Sequence, residues 1–156
     1  MTEVEHKIEQ LAGDRLTKKL VNPGTGETPP PGSTVDVHYV GKLLDGSEFD
    51  SSRARREPIS FVLGKGRVIA GLDRGVQTMR VGEKAILTIA PEFGYGSKQF
   101  GTIPPDSTLV FELEVLRWVE PLPFIVSILQ SVGIAFVVIV LAFLAVKANS
   151  DPAFTE

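Results

Sequence analysis

Residues 35–50 read VDVHYVGKLLDGSEFD, and their spacing decides the class of fold. Val35, Val37 and Tyr39 alternate with Asp36 and His38, the two-residue period of a strand with one face buried. Leu44-Asp45-Gly46-Ser47 supplies a hairpin turn, and Glu48-Phe49-Asp50 begins the return. Working outward, residues 15–21 read as an edge strand closed by the turn signal Asn22-Pro23-Gly24. Thr28-Pro29-Pro30-Pro31-Gly32 is too rich in proline for the interior of any element and reads as a loop. Residues 60–63 form another short strand, and Gly64-Lys65-Gly66 then breaks the chain. Val68, Ile69, Leu72 and Val76 follow a helical spacing. Ala85, Leu87 and Ile89 mark a further strand, as do Leu109, Phe111, Leu113 and Val115, with a long glycine- and proline-rich loop at 91–106 between them. The sum is an α+β domain of about five mostly antiparallel strands and one short helix, ending near Trp118. Residues 1–14 are an extension whose apolar positions Val4, Ile8 and Leu11 suggest a frayed helix or a flexible arm.

The chain has 156 residues, 43% of them hydrophobic, which suffices for one packed domain plus an additional segment. A net charge of −3 argues against nucleic acid as a partner. The absence of cysteine excludes disulfides, thiol nucleophiles and thiolate-bound zinc, and His6 and His38 are too few and too far apart for a metal site. No serine or threonine has a flanking His/Asp pair that would make it a nucleophile. Gly64-Lys65-Gly66-Arg67 with Gly71 matches neither the dinucleotide nor the Walker spacing. Arg53, Arg55 and Arg56 read as a solvated basic loop.

The C-terminal part differs in kind. Residues 124–146, FIVSILQSVGIAFVVIVLAFLAV, carry no charge. As a helix they would be roughly 35 Å long, which matches a hydrocarbon core. A core helix apolar on every side would need a second layer of protein around it, so a membrane span is expected. The acidic, mixed N-terminus lacks the pattern of a signal peptide. The expected arrangement is a domain at 15–118 facing the cytosol, a stiff linker at 119–123, the span, and a short tail at 147–156 crossing the bilayer. The weakly charged tail points to the endoplasmic reticulum. Trp118 would lie either near the headgroups or against the core as a cap on the last strand.

Four segments taken together, VHYVGKLLDGSEFDSS at 37–52, LGKGRVIAG at 63–71, MRVGEKAILTIAPEFGYG at 79–96 and IPPDSTLVF at 103–111, closely resemble the FKBP family of peptidyl-prolyl cis-trans isomerases. The likeness runs in order through most of 15–118. It implies a twisted antiparallel half-barrel around a short helix, and rotation of X–Pro bonds without metal or cofactor. Carried over by position, Asp50, Tyr95 and Phe49 become the catalytic candidates. Tyr39, Ile59, Leu72, Ile103 and Phe111 would line a pocket for proline, and Val68 and Ile69 would meet a ligand carbonyl at the entrance of the helix. Arg55 would orient Asp50 or Tyr95. Proline-containing proteins or peptides are the implied substrates, and tacrolimus or rapamycin the implied drugs. The sequence departs from the family where a tryptophan commonly forms the pocket floor, here Leu72, and where a wall position is often Phe, here Ile59. The loop between Gly96 and Pro104 also looks one residue shorter. Because each aromatic ring buries roughly 150–250 Å², a reduced rate and weakened drug affinity are expected. The competing reading is an adaptor whose pocket rim docks a membrane-protein partner.

Overall fold

The computed structural model describes residues 8–120. In chain order these form β1 (Ile8–Gln10), β2 (Leu16–Asn22), β3 (Thr34–Leu43), β4 (Glu48–Ser51), β5 (Ile59–Val62), α1 (Ala70–Val76), β6 (Lys84–Ile89) and β7 (Leu109–Val119). The sheet is antiparallel throughout and runs β1-β2-β6-β7-β3-β4, with β5 also on β3. One edge of β3 pairs with β7 along its whole length. The other is divided, β5 taking residues 34–37 and β4 taking residues 40–42.

The expected count of about five strands is corrected to seven among the described residues. The apolar spacing of the N-terminal segment suggested a helix or a loose arm, but Ile8–Gln10 pairs with residues 17–19 of β2. Leu11 and Ala12 both donate their N–H to the carbonyl of Leu16, turning the chain back at Gly13. An isolated helix of about twelve residues is marginal in water, whereas β2 offers a ready row of unpaired backbone groups. β2 is therefore interior, between β1 and β6, and not the edge strand expected. The 91–106 segment is irregular as read, apart from one 3-10 turn at Pro91–Phe93.

Alternation determines the core. Leu16, Val35, Val37, Leu87, Ile89, Leu109 and Val115 are fully buried from the strands, and Val76 joins them from α1. α1 approaches β6 closely because Gly71 and Gly75, four residues apart, share the face turned toward it. A Cβ on Gly71 would lie 2.4 Å from Cγ2 of Ile89, and one on Gly75 would lie 2.1 Å from Cδ1 of Leu87. The loop entering the helix is held by Asp73, a buried carboxylate that accepts the N–H of Gly64 at 2.7 Å, the N–H of Gly66 at 3.4 Å and the side-chain amide of Gln77 at 3.3 Å. Trp118, in register with Val35, packs partly buried against the core.

Among the described residues no helix is long and apolar enough to cross a membrane. The expected span at 124–146, the tail at 147–156 and most of the linker lie outside the described residues.

Candidate active site

Register brings the aromatic side chains together. Gly41 of β3 stands opposite Phe111 of β7, and Phe111 stands opposite Leu87 of β6. Glycine is required at 41, since a Cβ there would lie 2.6 Å from the Phe49 ring and 3.0 Å from the Phe111 ring. With no side chain in the way, the Phe49 and Phe111 centroids sit 5.6 Å apart, edge to face at 79°. Tyr39, two residues before Gly41 and so on the same face, lies 5.9 Å from Phe111 at 53°. Both are favourable arrangements for aromatic quadrupoles.

These rings form one side of a cavity of about 190 Å³. Ile59 of β5, Leu72 of α1, and Val68 and Ile69 on the approach to α1 complete its apolar lining, and Asp50, Arg67 and Tyr95 are its polar members. Leu72 is 7% exposed. A second hollow of about 200 Å³ shares Phe49, Asp50 and Tyr95 and adds Phe100, Gly101, Thr102 and Ile103 from the long loop. Of the residues singled out from the sequence, Tyr39, Phe49, Asp50, Ile59, Val68, Ile69, Leu72, Tyr95 and Phe111 line the first cavity and Ile103 lines the second. Arg55 lines neither.

Arg55 instead holds the polar edge in place. Its guanidinium donates one N–H to Asp50 Oδ1 and another, at 2.9 Å, to the Tyr39 hydroxyl. The Tyr39 hydroxyl donates in turn to Asp50 Oδ2, and the N–H of Ser51 reaches Asp50 Oδ1 at 2.8 Å. Burial alone would raise the Asp50 carboxyl. The hydrogen bonds from Tyr39 and Arg55, with the charge of Arg55, outweigh it and hold the group below the ordinary carboxylate range. Burial, then the bond to Asp50, pushes the Tyr39 phenol up. Tyr95 is also pushed up, by burial first and then by the charge of Asp50. Both phenols therefore stay protonated at neutral pH: the Tyr39 proton is committed to Asp50, and the Tyr95 hydroxyl can donate to a ligand. Of the two partners the sequence offered Arg55, the structure selects Asp50; Tyr95 rests on Phe100, stacked at 4.3 Å and 5°.

Arg67 and Gly101 were not singled out from the sequence, and Phe100 and Thr102 stood only as uncertain equivalents of family positions on the shortened loop. Arg67 lines the cavity just ahead of Val68, and Phe100 is a stacking partner although 57% exposed. Both are loop residues with no periodicity to mark them. The one available signal was the position of Arg67 beside the Val68-Ile69 pair.

The arrangement is an apolar, ring-walled hollow with a fixed carboxylate and a phenol at its edge. It offers desolvation and hydrogen bonding rather than a nucleophile. Comparison with known proteins bears on the family. A family model described as FKBP-type peptidyl-prolyl cis-trans isomerase matches residues 25–116. The chain is 52% identical over 103 residues to FK506-binding protein 1A of Aspergillus fumigatus, covering 65% of this chain and 92% of that protein. It is 50% identical over 115 residues to FK506-binding protein 59 of Drosophila melanogaster, covering 72% of this chain and only 26% of that longer protein. Among solved structures it is similar to the N-terminal domain of FKBP42 from Arabidopsis thaliana, with a TM-score of 0.69 and 30% identity, covering 77% of this chain and 98% of that one.

Proposed function

This chain belongs to the FKBP-type peptidyl-prolyl cis-trans isomerases, and from that premise we propose that it is a membrane-tethered isomerase of reduced rate, acting on X–Pro bonds at the cytosolic face of a membrane. The observation that carries the catalytic part is the cavity walled by Tyr39, Phe49 and Phe111 with Asp50 and Tyr95 at its edge. Rotation of an X–Pro bond faces a barrier of ~18–20 kcal/mol, because the planar amide has partial double-bond character. Water favours the planar, charge-separated form. An apolar hollow favours the twisted form, in which that charge separation is lost. In this scheme Phe49, Tyr39, Leu72 and Phe111 grip the proline ring. The Tyr95 hydroxyl and the N–H of Ile69 hold substrate carbonyls, and Asp50 sets the polarity near the twisting bond.

The reduced rate rests on the floor of the cavity, where Leu72 presents an aliphatic side chain in place of a large ring and Ile59 presents another in the wall. The same loss would weaken tacrolimus and rapamycin. Tethering is supported by the uncharged stretch at 124–146, and a cytosolic disposition by a domain that holds together without disulfides. The endoplasmic reticulum is the membrane proposed. Leu72 also favours a second reading, in which the rim docks a proline-containing segment of a membrane protein and turnover is incidental. Measuring kcat/KM for one Leu-Pro peptide with the wild type and Leu72→Trp separates the two. A gain of about tenfold in the variant is the result expected of a detuned enzyme. Two inert proteins that still bind the peptide would favour the adaptor.

A further inference from the structure

Two charged side chains line the proline-sized cavity, and only one of them is neutralised. Asp50 is engaged by Arg55, the Tyr39 hydroxyl and the Ser51 amide. Arg67 lines the same cavity and is exposed, on the turn that leads into Val68 and Ile69. Among the described residues no carboxylate pairs with it. The carboxylate of the adjoining helix is Asp73, which is 7% exposed and occupied by the amides of Gly64, Gly66 and Gln77. Lys65, on the same turn, is exposed and likewise without an ion pair among the described residues. The mouth of the cavity thus presents an uncompensated cation on a chain whose net charge is −3.

We propose that Arg67 is a specificity-determining residue that selects proline peptides bearing a carboxylate side chain directly beside the proline. This rests on the isomerase reading of the cavity. A proline ring seated against the wall formed by Phe49 and Phe111 places its neighbouring residues at the mouth, within reach of a long, forked guanidinium suited to a carboxylate. The pair formed is solvent-exposed, so the selection is modest: exposed ion pairs of this kind correspond to about two- to fivefold in an equilibrium or rate constant. It must also be local and screened by salt, because the Debye length shrinks from ~10 Å at 0.1 M to ~3 Å at 1 M.

The test uses the full chain in a non-ionic detergent and two peptide series, X-Pro-Ala and Leu-Pro-X with X as Glu, Gln or Lys, plus a Leu-Pro-Ala peptide with Glu placed five residues from the proline. Exchange NMR gives kcat/KM, and peptide titration gives affinity. The expected order at low salt is Glu above Gln above Lys for at least one adjacent position, with the distant Glu equal to Gln and the order fading toward 1 M salt. Arg67→Gln should flatten the order and Arg67→Glu should invert it, an effect that a merely structural role for Arg67 would not produce. Turnover with equal rates for Glu and Lys peptides, or the same order in Arg67→Glu, overturns the proposal and leaves the isomerase reading intact. The predicted order seen in affinity without turnover supports Arg67 and overturns the enzymatic role of the cavity.

Discussion

Asp50 meets three donors because its two oxygens face different ways. Oδ2 receives the Tyr39 hydroxyl, while Oδ1 receives Arg55 and the Ser51 amide. Its carboxyl is held below the ordinary value of about 3.9. A group whose folded pKa is depressed contributes stability that is present above its unfolded pKa and is lost as the pH falls through the folded one. Thermal stability of the wild type should therefore show no step from Asp50 between neutral pH and about 4, and should lose this contribution only at more acid pH. Asp50→Asn keeps the shape but removes the charge that Arg55 and Tyr39 address. It should remove the acid step and lower kcat/KM about tenfold, since hydrogen bonds to charged groups are worth ~1.5–3 kcal/mol. Paired melting curves and rates check this, and undiminished turnover in Asp50→Asn would remove Asp50 from the mechanism. At this scale the sequence is legible where residues are tied to elements. Asp50 and Arg55 lie five apart across one turn, and they meet. Arg67 was not foreseen and Phe100 was only an uncertain equivalent, because an exposed side chain on an irregular loop obeys no period.

Two effects oppose each other in α1. Alanine in place of a helical glycine ordinarily gains about 1 kcal/mol. At Gly75 the added Cβ would lie 2.1 Å from Cδ1 of Leu87, which is fully buried and has nowhere to move. Overpacking of this kind costs about 1–3 kcal/mol, so Gly75→Ala should be destabilising in a urea titration, with the cost carried into the position of Leu72 and hence into peptide affinity. A more stable variant would mean that α1 and β6 separate more easily than this packing implies. The same elements show what patterning conveys. The two-residue period marked most of the strands, and the 3.6-residue spacing marked the helix. β1 was missed since a three-residue strand is shorter than any period, and its pairing depends on an edge that only the assembled sheet provides. Periodicity also says which residues face inward, not which strands are neighbours. The register of Gly41 with Phe111, on which the site depends, is a property of the folded sheet.

For the molecule as a whole, the proposal joins a catalytic domain to a membrane through residues 124–146. The full chain expressed in eukaryotic cells should float with membranes and resist alkaline carbonate, and removal of residues 121–156 should release it. Recovery of the full chain in the soluble fraction would contradict the tether without touching the catalytic account. That account rests on an apolar hollow in which Phe49 and Phe111 together form one wall against a proline ring. It is tested most directly by exchange NMR of a Leu-Pro peptide with the wild type and with Phe49→Ala, reading the cis–trans rate and the perturbed resonances together. The expected result is acceleration by the wild type, shifts centred on Tyr39, Phe49 and Phe111, and a rate lowered at least about tenfold in Phe49→Ala, in line with the loss of a buried aromatic wall. Equal acceleration by the two proteins, with the peptide perturbing a different surface, would contradict it.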